Sequence, residues 1–171
     1  TKVKQLNNLL GAVLQSSPNG IMAFDSVYKD DEIVDFVWTL ANDAIKHVIS
    51  KEPDQLIGKS LLEEMPGMQK AGILKKMKKI ASKGGVLRQE VHYQYEGLDI
   101  WIEVLAVPLK KGVAMTLSDI HEKKEAEEEL FVAYEEVKKG EEKLRRLNTE
   151  LEKRVDDRTR ALTESEQRFR L

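Results

Sequence analysis

The sequence predicts an α+β fold, an antiparallel sheet with helices on one face, followed by a long helix that forms a coiled coil. Three observations predict it. Alternating apolar and polar residues mark two strands near the start and three near the middle, separated by short polar turns. Between the two groups lies a stretch chopped by Pro53, Gly58, Pro66 and Gly67 that ends in an amphipathic helix. From Leu130 to Phe169 apolar residues recur every three or four positions in a segment dominated by charge. Strands, then helices, then strands place the helices together against one face of the sheet.

The elements follow in order. Residues 3–15 read as a short amphipathic helix, with Val3, Leu6, Leu10, Val13 and Leu14 at helical spacing. Ser16-Ser17-Pro18-Asn19-Gly20 stops it with turn residues. Residues 21–24 make a short apolar strand and Lys29-Asp30-Asp31 a polar turn. Residues 34–40 form the second strand of a hairpin, with Phe36, Trp38 and Leu40 on one face. Asn42 suits the N-cap of a helix over residues 43–50. Residues 69–83 give a firmer helix. Ile73, Leu74, Met77, Ile80 and Ala81 form its apolar stripe, Lys75, Lys76, Lys78 and Lys79 a solvated face, and Gly84-Gly85 its end. In residues 87–95, Leu87, Val91, Tyr93 and Tyr95 share one face, while Arg88, Glu90, His92 and Gln94 share the other, as in a half-exposed strand. Glu96-Gly97 turns the chain. Residues 100–109 are apolar on both faces and read as a more covered strand. Lys111-Gly112 turns again into residues 113–118, with Val113, Met115 and Leu117 inward.

Composition narrows the function. Lys and Arg number 28 against 30 for Asp and Glu. Neither the first 120 residues nor the tail is a basic nucleic-acid surface. The absence of cysteine removes disulfides, thiolate metal sites and cysteine nucleophiles. No apolar run reaches the roughly 18–20 residues that cross a bilayer, and no signal-peptide pattern opens the sequence. These features lead to the expectation of a cytoplasmic protein with no nucleic-acid partner and no direct membrane insertion. A start at Thr1 leads to the expectation of a segment cut from a longer chain.

The tail has a register that can be counted. With Leu130 at heptad position d, the d positions hold Leu130, Val137, Leu144, Leu151, Arg158 and Ser165. The a positions hold Tyr134, Glu141, Asn148, Val155, Leu162 and Phe169. Eight of these twelve residues are apolar and the phase never slips, which implies a left-handed supercoil of two or a few helices. The expected homodimer seam is Leu130, Tyr134, Val137, Leu144, Asn148, Leu151, Val155 and Leu162. Asn148 at an a position favours a two-stranded parallel pair in fixed register. Glu141 beside Gly140 marks the expected weak point or bend, near residues 138–142, since Gly within a helix costs about 1 kcal/mol relative to Ala. Arg158 and Ser165 weaken the far end.

Several local sequences together resemble the PAS family of sensory domains. They are Leu14-Gln15-Ser16-Ser17-Pro18-Asn19-Gly20-Ile21, Ala41-Asn42-Asp43-Ala44 and Leu56-Ile57-Gly58-Lys59-Ser60-Leu61. Further along come Trp101-Ile102-Glu103-Val104 with Val107-Pro108-Leu109, then Ser118-Asp119-Ile120 before Glu122-Lys123-Lys124. The resemblance covers residues 14–125. It implies a PAS-like five-stranded antiparallel sheet of order 2-1-5-4-3 whose last strand leads straight into a signalling helix. It also implies a signal relay at Asp119, Ile120, His121 and Glu122. His121 stands where the family's exit motif has Thr, so no hydroxyl role carries over. Residues 147–155 with Arg158-Thr159 resemble linkers of bacterial sensor histidine kinases, and residues 164–171 resemble the start of another PAS domain. The implied domains are a helix over 1–16, a sensor over 17–121, a coiled-coil linker over 122–165 and a second PAS domain beginning at 166–171. Downstream signalling domains are then expected in the parent chain.

Candidate chemistry is sparse. His121-Glu122 invites comparison with a histidine-kinase phosphoacceptor box, but Lys123, Lys124 and Glu125 stand where such a box needs an aliphatic residue and a proline. The helix that carries an axial haem ligand in some PAS domains has no His here, and three scattered His residues do not form a metal site. No cofactor is expected. A small apolar ligand between sheet and helices would be lined by Phe24, Trp38, Ile45, Met77, Tyr93 and Ile102, residues that serve equally as plain core. The leading reading is a non-catalytic sensory or regulatory module that couples a signal or partner contact to a dimeric coiled coil in a two-component-type signalling protein. A ligand-free dimerisation and spacer module is the alternative, and part of a histidine kinase catalytic region the third.

Overall fold

Asp30 and Asp31 both adopt positive φ, 52° and 62°. A two-residue type I′ hairpin turn requires this at both central positions, and a short carboxylate side chain tolerates it. The turn joins β1 (Gly20–Lys29) to β2 (Glu32–Ala41) in the computed structural model, which describes residues 1–170. Glu96 and Gly97, at φ 53° and 77°, turn the chain between β3 (Leu87–Tyr93) and β4 (Ile100–Leu109), with the Leu98 amide donating to the Tyr95 carbonyl at 2.9 Å. β5 (Gly112–Asp119) completes an antiparallel sheet of order β2-β1-β5-β4-β3, the order that the resemblance implies.

The first helix, α1 (Lys2–Ser16), matches its expected span, but none of its residues is buried. Five helices fill the middle: α2 (Ile45–Ile49), α3 (Pro53–Leu56), α4 (Leu61–Glu64), α5 (Gly67–Lys70) and α6 (Ile73–Lys83). Together they cover one face of the sheet: α2 lies against β1 and β5, α3 and α4 against β2, and α6 across β3, β4 and β5. The stripe Ile73, Leu74, Met77 and Ile80 is buried there, joining Phe24, Trp38, Val104 and Met115 in one continuous core.

Several boundaries and faces differ from expectation, each for a physical reason. The second strand does not keep Leu40 beside Trp38. Phe24 pairs with Trp38 and Ala23 with Leu40, so Thr39 is an extra residue. This bulge reverses the alternation, and Ala41 rather than Leu40 packs against the core. β4 is not covered on both faces. Ile102, Val104 and Ala106 are buried, while Leu105, Val107 and Leu109 on the opposite face are exposed. Apolar residues on both sides of a strand show that it favours extended structure, not that both sides are covered. The long central helix begins at Ile73 rather than at residue 69, because Gly72 in a left-handed conformation separates it from α5. β3 stops at Tyr93 rather than at residue 95, and the helix expected over 43–50 spans only Ile45–Ile49, with Ser50 left-handed after it.

Gly112 is a strand residue rather than a turn residue. It pairs with Leu109 and Asp25, and a Cβ there would stand 1.9 Å from the Phe24 carbonyl oxygen. Only glycine lets β1 and β5 approach at this point.

The last helix, α7 (His121–Phe169), runs for 49 residues without interruption, through Gly140 and through the stretch 166–169 that resembles a domain start. Leu171, the end of that stretch, lies outside the described residues. By contacts the chain divides into Thr1–Glu122 and Lys123–Leu171.

Candidate functional site

The strand that leaves the sheet becomes a helix within two residues. The Ile120 amide donates to the Trp101 carbonyl at 2.9 Å, which extends the β4–β5 pairing by one residue. Its side chain is buried. The next residue, His121, is already helical, and its amide donates to the Asp119 carboxylate at 2.9 Å. A helix start leaves four amides without partners inside the helix, and a carboxylate there also complements the positive end of the helix dipole. Asp119 supplies this contact to a backbone amide, so it survives with His121 in place of a hydroxyl side chain. Glu122 is the acidic residue of the first turn. The four residues expected as a relay are thus contiguous at one junction between sheet and helix.

Removing the Asp119 carboxylate tests that junction. Asp119→Ala is expected to cost about 1 kcal/mol at the helix start and to speed amide exchange at residues 121–124 while the sheet stays protected. Unchanged exchange there would exclude Asp119 from holding the helix start.

The six residues expected around a ligand, Phe24, Trp38, Ile45, Met77, Tyr93 and Ile102, are each 0–2% exposed and belong to one hydrophobic cluster. Phe24 and Trp38 rings lie 5.1 Å apart, and the Trp38 indole N–H points at the Met22 sulfur at 3.4 Å. Tyr93 brings the polar group of this set. Its hydroxyl donates to the Glu96 carboxylate at 2.5 Å, and the other Glu96 oxygen accepts from the Gly67 amide at 2.7 Å. Burial, reinforced by the bond to Glu96, pushes the Tyr93 phenol well above its ordinary pKa. It therefore stays neutral and holds Glu96, which ties the β3–β4 turn to α5.

On α7 the apolar members of the expected seam, Leu130, Tyr134, Val137, Leu144, Leu151, Val155 and Leu162, are each more than half exposed, as is Phe169. Asn148 lies exposed in the same row. N-terminal to Leu130 the same heptad would place Lys123 and Glu127 in the seam, and these bond to each other at 3.8 Å instead. Arg154 bonds Glu150 at 2.6 Å. Such i,i+4 pairs contribute only about 0.2–0.5 kcal/mol each, so the polar faces alone give a helix of this length little support.

Sequence reasoning misplaced one residue of this region. Asn42 does not cap α2, whose N-cap is Ala44. Its side chain points the other way. Oδ1 accepts from the Ile21 amide at 2.8 Å, and Nδ2 donates to the carbonyls of Leu14 at 2.8 Å and Asn19 at 3.0 Å. Asn42 is 1% exposed, the one buried polar residue among those described. It fastens the end of α1 to the start of β1. The signal available in the sequence was a strong hydrogen-bonding residue directly after a strand, and a cap is only one of its uses.

His47, His92 and His121 lie on α2, β3 and the first turn of α7, and His92 bonds Asp99 at 2.6 Å. Among the described residues no group of three His, Cys, Asp or Glu side chains comes together to hold a metal. Among those residues, too, no helix is long and apolar enough to cross a membrane.

The comparisons with known proteins agree with this geometry. Residues 14–125 match the model of the PAS fold family, so the chain belongs to that family. Its PAS domain has a sensory-type fold. The structure is similar to that of an RNA-binding light-oxygen-voltage receptor, at TM-score 0.57 and 13% identity over 78% of this chain. The chain spans only 38% of that receptor's length. It is also similar to the PAS domain of BvgS from Bordetella pertussis, at TM-score 0.50 and 16% identity, covering 77% of this chain and 98% of that one. At these identities the likeness is one of fold. No curated protein matches the sequence.

Proposed function

We propose that this chain is a regulatory PAS module that couples a small apolar ligand, or contact with a partner, to a homodimeric coiled coil formed by α7. The parent would be a two-component-type signalling protein with downstream domains on the same chain. One observation carries the reading: β5 passes into α7 with no intervening loop, through a buried Ile120 and the Asp119 contact. Any change of packing that moves the end of β5 therefore moves the start of α7. A pair of helices that can adopt two arrangements would turn that movement into a population shift.

A ligand would have to enter between α6 and the sheet and part residues now 0–2% exposed. That tight packing supports the second reading, a ligand-free dimerisation and spacer module. Native mass spectrometry of gently purified protein separates the two. The expected result is a species of two chains carrying a stoichiometric small apolar molecule. An empty two-chain species would sink the ligand-sensing form and leave partner contact or the spacer.

A further inference from the structure

The two charged residues in the expected α7 seam are mirror images about its centre. The seam runs from Leu130 to Phe169, and Glu141 is the fourth seam residue from its start, as Arg158 is the fourth from its end. We infer that two copies of α7 pair antiparallel over residues 130–169, with Glu141 of each copy facing Arg158 of the other. The inference deepens the coiled-coil reading above and rests on it.

The heptad geometry makes the alternatives countable. In a parallel, in-register pair each seam residue meets its own copy. Glu141 would then face Glu141 and Arg158 would face Arg158, two like-charged layers within the apolar row. The flanking g and e positions would not compensate. Ala133 would meet Lys138, Gly140 meet Arg145, Leu147 meet Glu152 and Arg154 meet Thr159, with no ion pair among them.

In an antiparallel pair a residues meet d residues. The alignment that overlaps the whole seam sets Leu130 against Phe169, Val137 against Leu162 and Leu144 against Val155. The same alignment brings Glu141 to Arg158, twice by symmetry, and on the flank Arg145 to Glu152. Shifting it by one heptad loses the charge match and leaves overhanging apolar residues. One alignment thus satisfies the apolar row, the core charges and the flank charges together. Asn148 and Ser165 are the exceptions: each would meet its own copy in the parallel pair, while here Asn148 faces Leu151 and Ser165 faces Tyr134, two neutral positions against the two charged layers and the flank. Charge patterns of this kind select partner and orientation more than raw affinity.

The chain has no cysteine, so introduced thiols report without background. Leu144→Cys and Val155→Cys variants of the full chain, mixed and oxidised, are expected to give the mixed disulfide, with little self-linked dimer from either variant alone. Self-linked dimers of each variant would show a parallel pair and overturn the orientation, while leaving the coiled-coil reading intact. A monomer in sedimentation that never cross-links would overturn both. A charge exchange gives a second readout. Glu141→Arg is expected to raise the dimer dissociation constant about tenfold or more, and adding Arg158→Glu to restore it to within about threefold. A double variant no tighter than Glu141→Arg alone would also overturn the orientation.

Discussion

Replacing Leu144 and Leu151 together by aspartate is expected to abolish dimerisation while leaving the PAS domain folded. Both residues sit at consecutive d positions in the middle of the seam, and both are more than half exposed on the single helix. Burying a leucine is worth about 2 kcal/mol, so four such side chains in a dimer account for about 8 kcal/mol. A micromolar dimer has only about 8 kcal/mol in all. The four new carboxylates add like-charge repulsion and an uncompensated desolvation cost. The loss therefore exceeds what the remaining seam can offset in either helix orientation. The domain should not notice, since Thr1–Glu122 is a compact unit of its own. Far-ultraviolet circular dichroism should record a second consequence. A helix with few internal supports relies on packing an apolar face, so the variant should lose α7 helicity and keep its sheet signal. Sedimentation showing an unchanged dimer would remove the seam from α7.

The strands were legible because they rest on a period that local sequence controls, whereas their order was legible only through the resemblance to the PAS family. Alternation sets the strands, and the hairpin turns at Asp30-Asp31 and Glu96-Gly97 carry residues that tolerate positive φ. What was not legible depends on neighbours. The bulge at Thr39 is a property of the pairing between β1 and β2, and nothing in the β2 sequence alone announces it. Cover over β4 depends on what lies beyond Leu105 and Val107, which the strand cannot encode. Gly112 looked like a turn residue because glycine serves both turns and close strand approaches, and only the Phe24 carbonyl distinguishes them. At the site, the junction at Asp119–Glu122 was legible as a run of adjacent residues, since contiguity in sequence gave contiguity in space. The hub at Asn42 was not, because its three bonds reach back to residues 14, 19 and 21.

That hub gives the second large effect. Asn42→Leu is expected to destabilise the domain by about 3–5 kcal/mol, because three backbone groups lose their partner and unpaired buried groups cost about 1–3 kcal/mol each. The amide of Ile21 loses its acceptor, and the carbonyls of Leu14 and Asn19 lose their donor. Leucine fills similar space, so the penalty is one of hydrogen bonding rather than of a cavity. Part of it can be relieved. Leu14 lies in the last turn of a helix with no fully buried residue, so water can reach its carbonyl if α1 swings away. Ile21 has no such escape, because it pairs with Thr116 inside the sheet. Thermal unfolding should therefore fall by about 10 °C or more. Amide exchange should accelerate first across α1 and the start of β1, while α6 and β4 stay protected until global unfolding. Asn42→Asp separates the two halves of the hub. It keeps an acceptor for the Ile21 amide but presents carboxylate oxygens to the Leu14 and Asn19 carbonyls, so it should release α1 more than β1. An Asn42→Leu protein that melts within about 2 °C of the parent would show that these three bonds do not hold the junction.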